Sequence, residues 1–310
     1  MRDRSFVTIP FFLAAVCLAS AFIPVPARAA ENIDRHLRDQ YKGKVFVLRN
    51  FYTGSSLRFA PDGSPAKQTA SGDWTVDGIV RIDDIKVKRD RLQILATRLR
   101  LGWVSGSGFS VLHESDSKGK PVKNEKHYVL EIEATVGERD AAPEVADALL
   151  SKIFLTSHDS LVDAVPPYWK RCVYDGLAGN AKLSSACNFS REFLAVPGFG
   201  PPTELAADVP AEPPNMFAVK NGQKPPRAIF NPDPPFNDAA RSMKYQGTVV
   251  LSLTVDDQGR TANVQITGPT GCGLDAQAVH AVEEWRFKPA TKDGQPVGTE
   301  IGVEVSFHLY

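Results

Sequence analysis

Eleven of the chain's 23 prolines fall in the 39 residues from Pro197 to Pro235, and this clustering divides the sequence more firmly than any other feature. Such a stretch lacks the backbone donors for a helix or a central strand and favours extended polyproline II. From Pro197 to Pro226 it reaches at most ~90 Å, at 3.1 Å per residue. Residues 195–235 therefore read as a Pro-rich spacer. A docking ligand is the other reading, but no regular P-x-x-P array accompanies the prolines. A folded unit is expected on each side, over 31–194 and 236–310.

The first 29 residues read as an export leader, which places the protein in the periplasm. Arg2 and Arg4 precede an apolar run from Phe6 to Val25, and Ala27-Arg28-Ala29 offers small residues where a signal peptidase cuts. Pro10, Pro24 and Pro26 interrupt the run, which is short for the roughly 20 residues of a membrane span. Cleavage after Ala29 is the expectation. An uncut inner-membrane anchor is the alternative, and only that form would touch a membrane. Cys17 follows Val16 rather than a small residue, which argues against lipidation.

The chain balances 36 basic with 36 acidic residues, and the leader removes only Arg2, Arg4, Arg28 and Asp3. No window gathers the basic face that a nucleic-acid binder needs. Three cysteines follow the leader: Cys172, Cys187 and Cys272. In an oxidising compartment, Cys172 and Cys187 could close a short loop, a bridge that stabilises by about 3 kcal/mol in the chain-entropy account. Three unpaired thiols is the alternative.

Residues 31–194 read as a mainly β unit with trailing helices. Lys44–Leu48 and Leu57–Phe59 are short β-rich runs, with Pro61-Asp62-Gly63 as turn chemistry. Leu95, Leu99, Leu101 and Trp103 share one phase, with Arg98 and Arg100 in the other. Tyr128, Leu130, Ile132 and Ala134 alternate with Glu131 and Glu133, and a half-buried antiparallel sheet explains both patterns. Pro143-Glu144 opens a helix with Val145, Leu149 and Ile153 on one stripe, and Ser157 is placed to cap another toward Tyr168-Trp169. Strands followed by helices predict an α+β unit.

The C-terminal pattern is simpler. Val249, Leu251, Leu253 and Val255 alternate with Thr248, Val250, Ser252 and Thr254, and Asp256–Gly259 forms a hairpin turn. Ala262, Val264 and Ile266 alternate next. Gly273-Leu274-Asp275 opens a helix with Asp275 as the expected N-cap, and Leu274, Ala278, Val282 and Trp285 face inward. Ile301, Val303, Val305, Phe307 and Leu309 form one face of a last strand. The prediction is an α+β fold: a three-stranded antiparallel sheet with one helix on its apolar side.

This arrangement resembles the C-terminal domain of TonB energy transducers. The carrying residues are Ala240-Arg241, Gly247–Leu251, Val255–Arg260, Gly273–Asp275, Ala278, Ala281-Val282, Trp285–Phe287, Pro289-Ala290, Asp293-Gly294, Pro296-Val297 and Phe307. Gly247 is expected to turn the chain into its strand, with Trp285 and Phe287 filling the space under the sheet. The resemblance covers about 224–310, and residues 31–194 share no part of it. It implies a non-catalytic docking surface that takes the TonB box of an outer-membrane receptor and supports energy-dependent transport across that membrane. The pairing surface maps to Gly302, Val303, Glu304, Val305, Ser306, Phe307 and His308, where an edge strand can accept an extended peptide. Phe236 and Asn237, where the family has Tyr-Pro, are the second expected contact. Edge-strand dimerisation, or docking onto the chain's own N-terminal unit without energy transduction, is the alternative. Loss of the leader would leave docking without an inner-membrane anchor.

No chemistry-bearing constellation accompanies these patterns, so neither a catalytic residue, a metal site nor a cofactor is predicted. The six histidines have no metal-ligand spacing. His158-Asp159 suits a helix start. Gly102, Gly106 and Gly108 lack the Lys-Ser/Thr of a phosphate loop and read as a turn between strands. Asp83-Asp84 reads as a solvated turn or strand edge.

Overall fold

The computed structural model describes residues 27–113, 128–136, 142–179, 187–201, 209–211 and 222–309. The leader up to residue 26 and much of the proline-rich stretch, 202–208 and 212–221, lie outside the described residues. A helix α1 (Ala27–Tyr41) precedes β1 (Val45–Val47), β2 (Ser56–Phe59), β3 (Ile79–Lys88), β4 (Arg91–Leu99), β5 (Leu101–Val104), β6 (Gly108–Val111) and β7 (Val129–Thr135). Five strands pair in the order β1-β3-β4-β7-β2. The sheet is mixed rather than antiparallel, because β2 runs parallel to β7. The β5–β6 hairpin turns at Gly106 and Gly108, as its glycines imply.

One face of this sheet carries Ile82, Ile85, Ile94, Leu130 and Ile132, in one core with Ile33 and Leu37 of α1 and with α2 (Pro143–Ile153). A register shift between Ile82 and Asp84 lets Ile82 and Ile85 both point inward despite their odd spacing, so Asp83-Asp84 lies within a strand. Two expected phases are corrected. Leu95 is 42% exposed, whereas Arg98 is only 8% exposed and donates to the carbonyls of Tyr52, Gly54 and Asp77. Three carbonyls and the Asp77 carboxylate compensate that buried charge. In α2, Val145 points outward and the inward stripe is Ala146, Leu149, Leu150 and Ile153.

Ser160, not Ser157, supplies the next cap: its hydroxyl accepts from Val162 N at the start of α3 (Leu161–Ala164). Pro166-Pro167 ends that turn and opens α4 (Pro167–Leu177). Asp159 closes the turn before it, accepting from Thr156 N and pairing with Arg49 at 2.7 Å. Cys172 on α4 is bonded to Cys187, with the Cα atoms 5.4 Å apart. Gly176 makes this approach feasible, since a Cβ there would lie 2.0 Å from the Cys187 carbonyl oxygen. Trp74, Phe109, Trp169, Phe189 and Phe199 then form an aromatic cluster with ring centroids 5.2 to 6.5 Å apart. Phe199 belongs to the stretch read as spacer, so that stretch begins inside the core rather than leaving it.

The same stretch ends on the C-terminal domain. Here β8 (Gln223–Lys224) and β9 (Arg227–Phe230) precede α5 (Asp238–Ser242), β10 (Gly247–Val255), β11 (Thr261–Gly268), α6 (Leu274–Glu284), β12 (Arg286–Lys288), β13 (Ala290–Lys292), β14 (Gln295–Val297) and β15 (Thr299–Phe307). Strand β9 pairs with β12 and β8 with β13, and the Trp285 indole donates to the Pro232 carbonyl. Residues 223–232 therefore wrap the domain instead of spacing it. The main sheet has the order β11-β10-β15, with α6 against β10 and β11. Val249, Leu251, Leu253 and Val255 are fully buried, as their alternation implies. Asn263 (φ 51°) sits at a bulge opposite Ser252–Thr254, which leaves Ala262 exposed.

Two structural roles differ from expectation. Gly247 lies in a straight strand and is needed for close approach: a Cβ would lie 2.6 Å from the Thr270 side chain. Asp275 is not the N-cap. Gly273 (φ 75°) takes that position, and the fully buried Asp275 carboxylate reaches back to accept from Thr270 N at 2.8 Å and Gly271 N at 2.6 Å.

The loop held by Asp275 is where the two halves of the chain meet. Trp103 N donates to Thr270 O at 2.8 Å and Cys272 N to Leu101 O at 2.6 Å, bridging Gly102 to Gly271. Gly271 (φ 91°) has no room for a side chain, since a Cβ would lie 2.6 Å from Leu101 O. Gly273 N donates to Thr75 Oγ1, and the Tyr245 hydroxyl lies 3.1 and 2.9 Å from the carbonyls of Trp103 and Thr270. Helix α4 packs against β11, and one hydrophobic core runs from Trp74 and Trp169 through to Val249 and Phe307.

Burial, with Asp73 adding to it, outweighs the two accepted amide bonds and raises Asp275 from its ordinary 3.8 to about 7. The folded state thus holds this proton more tightly than the unfolded chain, and the resulting stabilisation is lost as the pH rises through about 7. Chemical denaturation is expected to show a parent whose stability falls between pH 5 and pH 8 and an Asp275→Asn variant with a shallower fall. Asp275→Ala strands two buried amides and is expected to cost about 2–4 kcal/mol at either pH. Replacing both Cys172 and Cys187 by Ala is expected to cost about 3 kcal/mol in the same assay.

Candidate functional site

The three-stranded sheet has two outer strands, and among the described residues only β11 has a helix of the N-terminal region packed against it. Strand β11 lies against α4, and its pairing with β10 is interrupted by two register shifts. Strand β15 pairs with β10 without a break from Gly247↔Phe307 to Val255↔Thr299. It is the outer strand of the sheet, and no other described strand pairs with its far side. Nine residues at about 3.3 Å each make an edge roughly 30 Å long. Residues 299–307 contain no proline and no bulge, two of the devices that normally blunt such an edge.

Side chains alternate along this edge as the sequence implies. Val305 and Phe307 are buried, Ile301 and Val303 half-buried, and Glu304 and Ser306 exposed. Ser306 is 3.0 Å from the Thr248 hydroxyl, and Glu300 accepts from Ser252 Oγ at 3.2 Å. These contacts tie β15 to β10 and leave its outer backbone unengaged by described strands. Gly302 widens the access at mid-strand, since it presents no side chain.

The sequence-predicted residues separate into two groups. Gly302 to Phe307 lie in β15. His308 lies one residue past its end, where Leu309 N donates to Gln246 Oε1 at 2.8 Å and draws the backbone back toward the start of β10. Phe236 is half-buried and stacks edge-on against Phe307, with ring centroids 5.5 Å apart, so it borders the C-terminal end of the edge. Asn237 serves the fold instead. Its Oδ1 accepts from Ala240 N to cap α5, and its Nδ2 donates to the Cys272 carbonyl.

The residues that sequence reasoning missed lie at the junction. Tyr245, Thr75, Arg100 and Gln246 are single polar residues whose partners lie far away in the chain, and only the tertiary fold pairs them. Arg100 lies 2.9 Å from Ser242 Oγ and stacks over the Tyr128 ring at 3.9 Å. The free Cys272 thiol is buried beside Met243 and pushed up to about 12 by that burial. Among the described residues no three His, Cys, Asp or Glu side chains form a group that could hold a metal ion. No described helix is long and apolar enough to cross a membrane.

Residues 232–309 match the family described as the C-terminal domain of the Gram-negative bacterial TonB protein. A TonB protein of Vibrio cholerae is 31% identical over 87 residues, which are 28% of this chain and 36% of that protein. A TonB protein of Xanthomonas campestris pv. campestris is 33% identical over 81 residues, 26% of this chain and 36% of the relative. The match thus spans little more than one third of these relatives' length. The solution structure of the Pseudomonas aeruginosa TonB C-terminal domain shares 20% identity, covering 29% of this chain and 89% of that one, with a TM-score of 0.24. On its motifs and these sequence matches, the segment 232–309 is a domain of the TonB C-terminal family.

Proposed function

We propose that the C-terminal domain docks an extended segment of an outer-membrane TonB-dependent receptor, a TonB-box-like peptide, by adding it to the sheet as a fourth strand along β15. The observation that carries this reading is the outer position of β15 among the described strands, with an unbroken ladder to β10 on its inner side, set against the packing of α4 on β11. Main-chain bonds from such an edge give affinity, and alternate side chains give selectivity. Glu304 and Ser306 would face the incoming segment's flank, and Phe236 would meet it at the Phe307 end. The protein then acts in the periplasm as a non-catalytic component of energy-dependent transport, in keeping with the energy-transducer family that its C-terminal domain resembles.

A second reading is a structural module of the envelope that uses the same edge to join two copies. The shared core favours the other form of a structural module, in which the C-terminal domain is docked on the chain's own N-terminal region rather than carried on a free tether.

Adjacent residues of an antiparallel strand direct their N–H groups to opposite sides. One of Val303→Pro and Glu304→Pro therefore removes an outward donor while sparing the ladder with β10. Of these two variants, the one that keeps the parent's near-ultraviolet circular dichroism is expected to bind receptor N-terminal peptides at least tenfold more weakly in calorimetry. Unchanged affinity would sink the docking reading. A dimer in light scattering that the same proline variant dissociates would replace it with the second.

A further inference from the structure

We propose that the small ribbon built from β8, β9, β12 and β13 is a docking surface for an anionic phospholipid bilayer. The argument begins with the pairing. Arg227 stands opposite Lys288 on neighbouring strands, and like charges placed so destabilise a sheet unless something between them carries the opposite sign. Lys224 and Lys292 extend the array through the β8–β13 pair. The two paired segments, 223–230 and 286–292, hold five cations and no acid. Among the described residues none of Lys224, Arg227, Lys288 and Lys292 takes an ion pair, and Arg286 donates only to the carbonyls of Glu283 and Trp285. Acids lie at the border: Glu283 and Glu284 in the last turn of α6, and Asp293 in the β13–β14 turn.

Apolar side chains complete the surface. All four residues of β9 are exposed, with Ile229 at 69% and Phe230 at 54%. Ile229 and Phe230 lie exposed next to Arg227 in the same strand, which suits insertion between headgroups. Cations flanking a protruding aromatic and an aliphatic residue make the combination that binds an interface by charge and by partial burial together.

Position supports the same occupant. Strand β10 begins at Gly247, beside the junction with the N-terminal region, and ends at Val255. Arg286 bridges Arg260 just beyond the β10–β11 turn, so the ribbon sits at the end of the domain away from the junction. A bilayer meeting this end would leave the β15 edge running away from the membrane along the side of the sheet.

The test uses the chain from Ala30, so that the apolar and basic leader cannot itself hold the protein on a bilayer, and sedimentation with vesicles of phosphatidylcholine, with and without phosphatidylglycerol. Phosphatidylglycerol is expected to raise partitioning in a salt-sensitive way. Arg227→Gln with Lys288→Gln is expected to lower it about 25-fold, at about fivefold per cation. Ile229→Ser with Phe230→Ser is expected to weaken the binding that persists at high salt, where charge attraction is screened. If either double variant aggregates, Lys224→Gln with Lys292→Gln takes its place. The proposal is overturned if the anionic lipid adds no binding, or if the variants partition like the parent. It is also overturned if the variants lose binding only to soluble polyglutamate, which would mark an acidic protein as the partner.

Discussion

The buried carboxylate of Asp275 holds the amides of Thr270 and Gly271, and the shape it gives that loop decides how the two halves of the chain meet. A loop so shaped presents Gly271 with no side chain in the way and offers Thr270 O and Cys272 N to β5. Both are then satisfied by backbone from the N-terminal region. Leaving such groups buried and unpaired would cost about 1–3 kcal/mol each. One acidic side chain therefore governs several hydrogen bonds that it does not itself make. Its own burial is unfavourable to its charge, and Asp73 adds to that, so the junction holds together against an electrostatic penalty.

That junction sets which parts of the C-terminal domain remain available. With the Thr270–Gly273 loop bound and α4 lying against β11, one end and one edge of the sheet are taken. Among the described residues, the edge of β15 and the basic ribbon are left without such cover. A domain of the TonB C-terminal family carried at the end of a free spacer would sample many orientations. Here the aromatic cluster of Trp74, Phe109, Trp169 and Phe199 continues into the core beneath β10, so the open edge is presented in one orientation relative to the N-terminal sheet. The disulfide between Cys172 and Cys187 supports this by fixing α4, the helix that covers β11.

Much of the C-terminal fold was legible because its signals are local. Alternation in 249–255, Asp256–Gly259 as a turn, and the apolar stripe of α6 each depend on neighbours a few residues apart. What failed was any feature set by distant partners. Asp275 reads as an N-cap from spacing alone, but Gly273 can adopt a positive φ and takes that place. Gly247 reads as a turn residue until Thr270 is seen against it. In the N-terminal region, Leu95 and Arg98 exchange their expected sides because β4 borders two cores, one on each face, and Arg98 finds three carbonyls. Among the described residues of the proline-rich stretch, β8 and β9 are extended as the prolines imply, yet they do not act as a spacer. Extended chain can pair at a sheet edge, as β8 and β9 do, or insert a Phe199 into a core. Gly302 to Phe307 fall in β15, where strand alternation is again a local signal, whereas Asn237 caps α5.

The account stands on β15 being an open edge, and residue-resolved amide hydrogen exchange reads that directly. Without a partner, alternate amides from Thr299 to Phe307 should exchange quickly, while those of β10 stay protected. A receptor peptide should then slow the fast set. Uniform protection along β15 in the isolated monomer, or fast exchange that a saturating peptide leaves untouched, would contradict it.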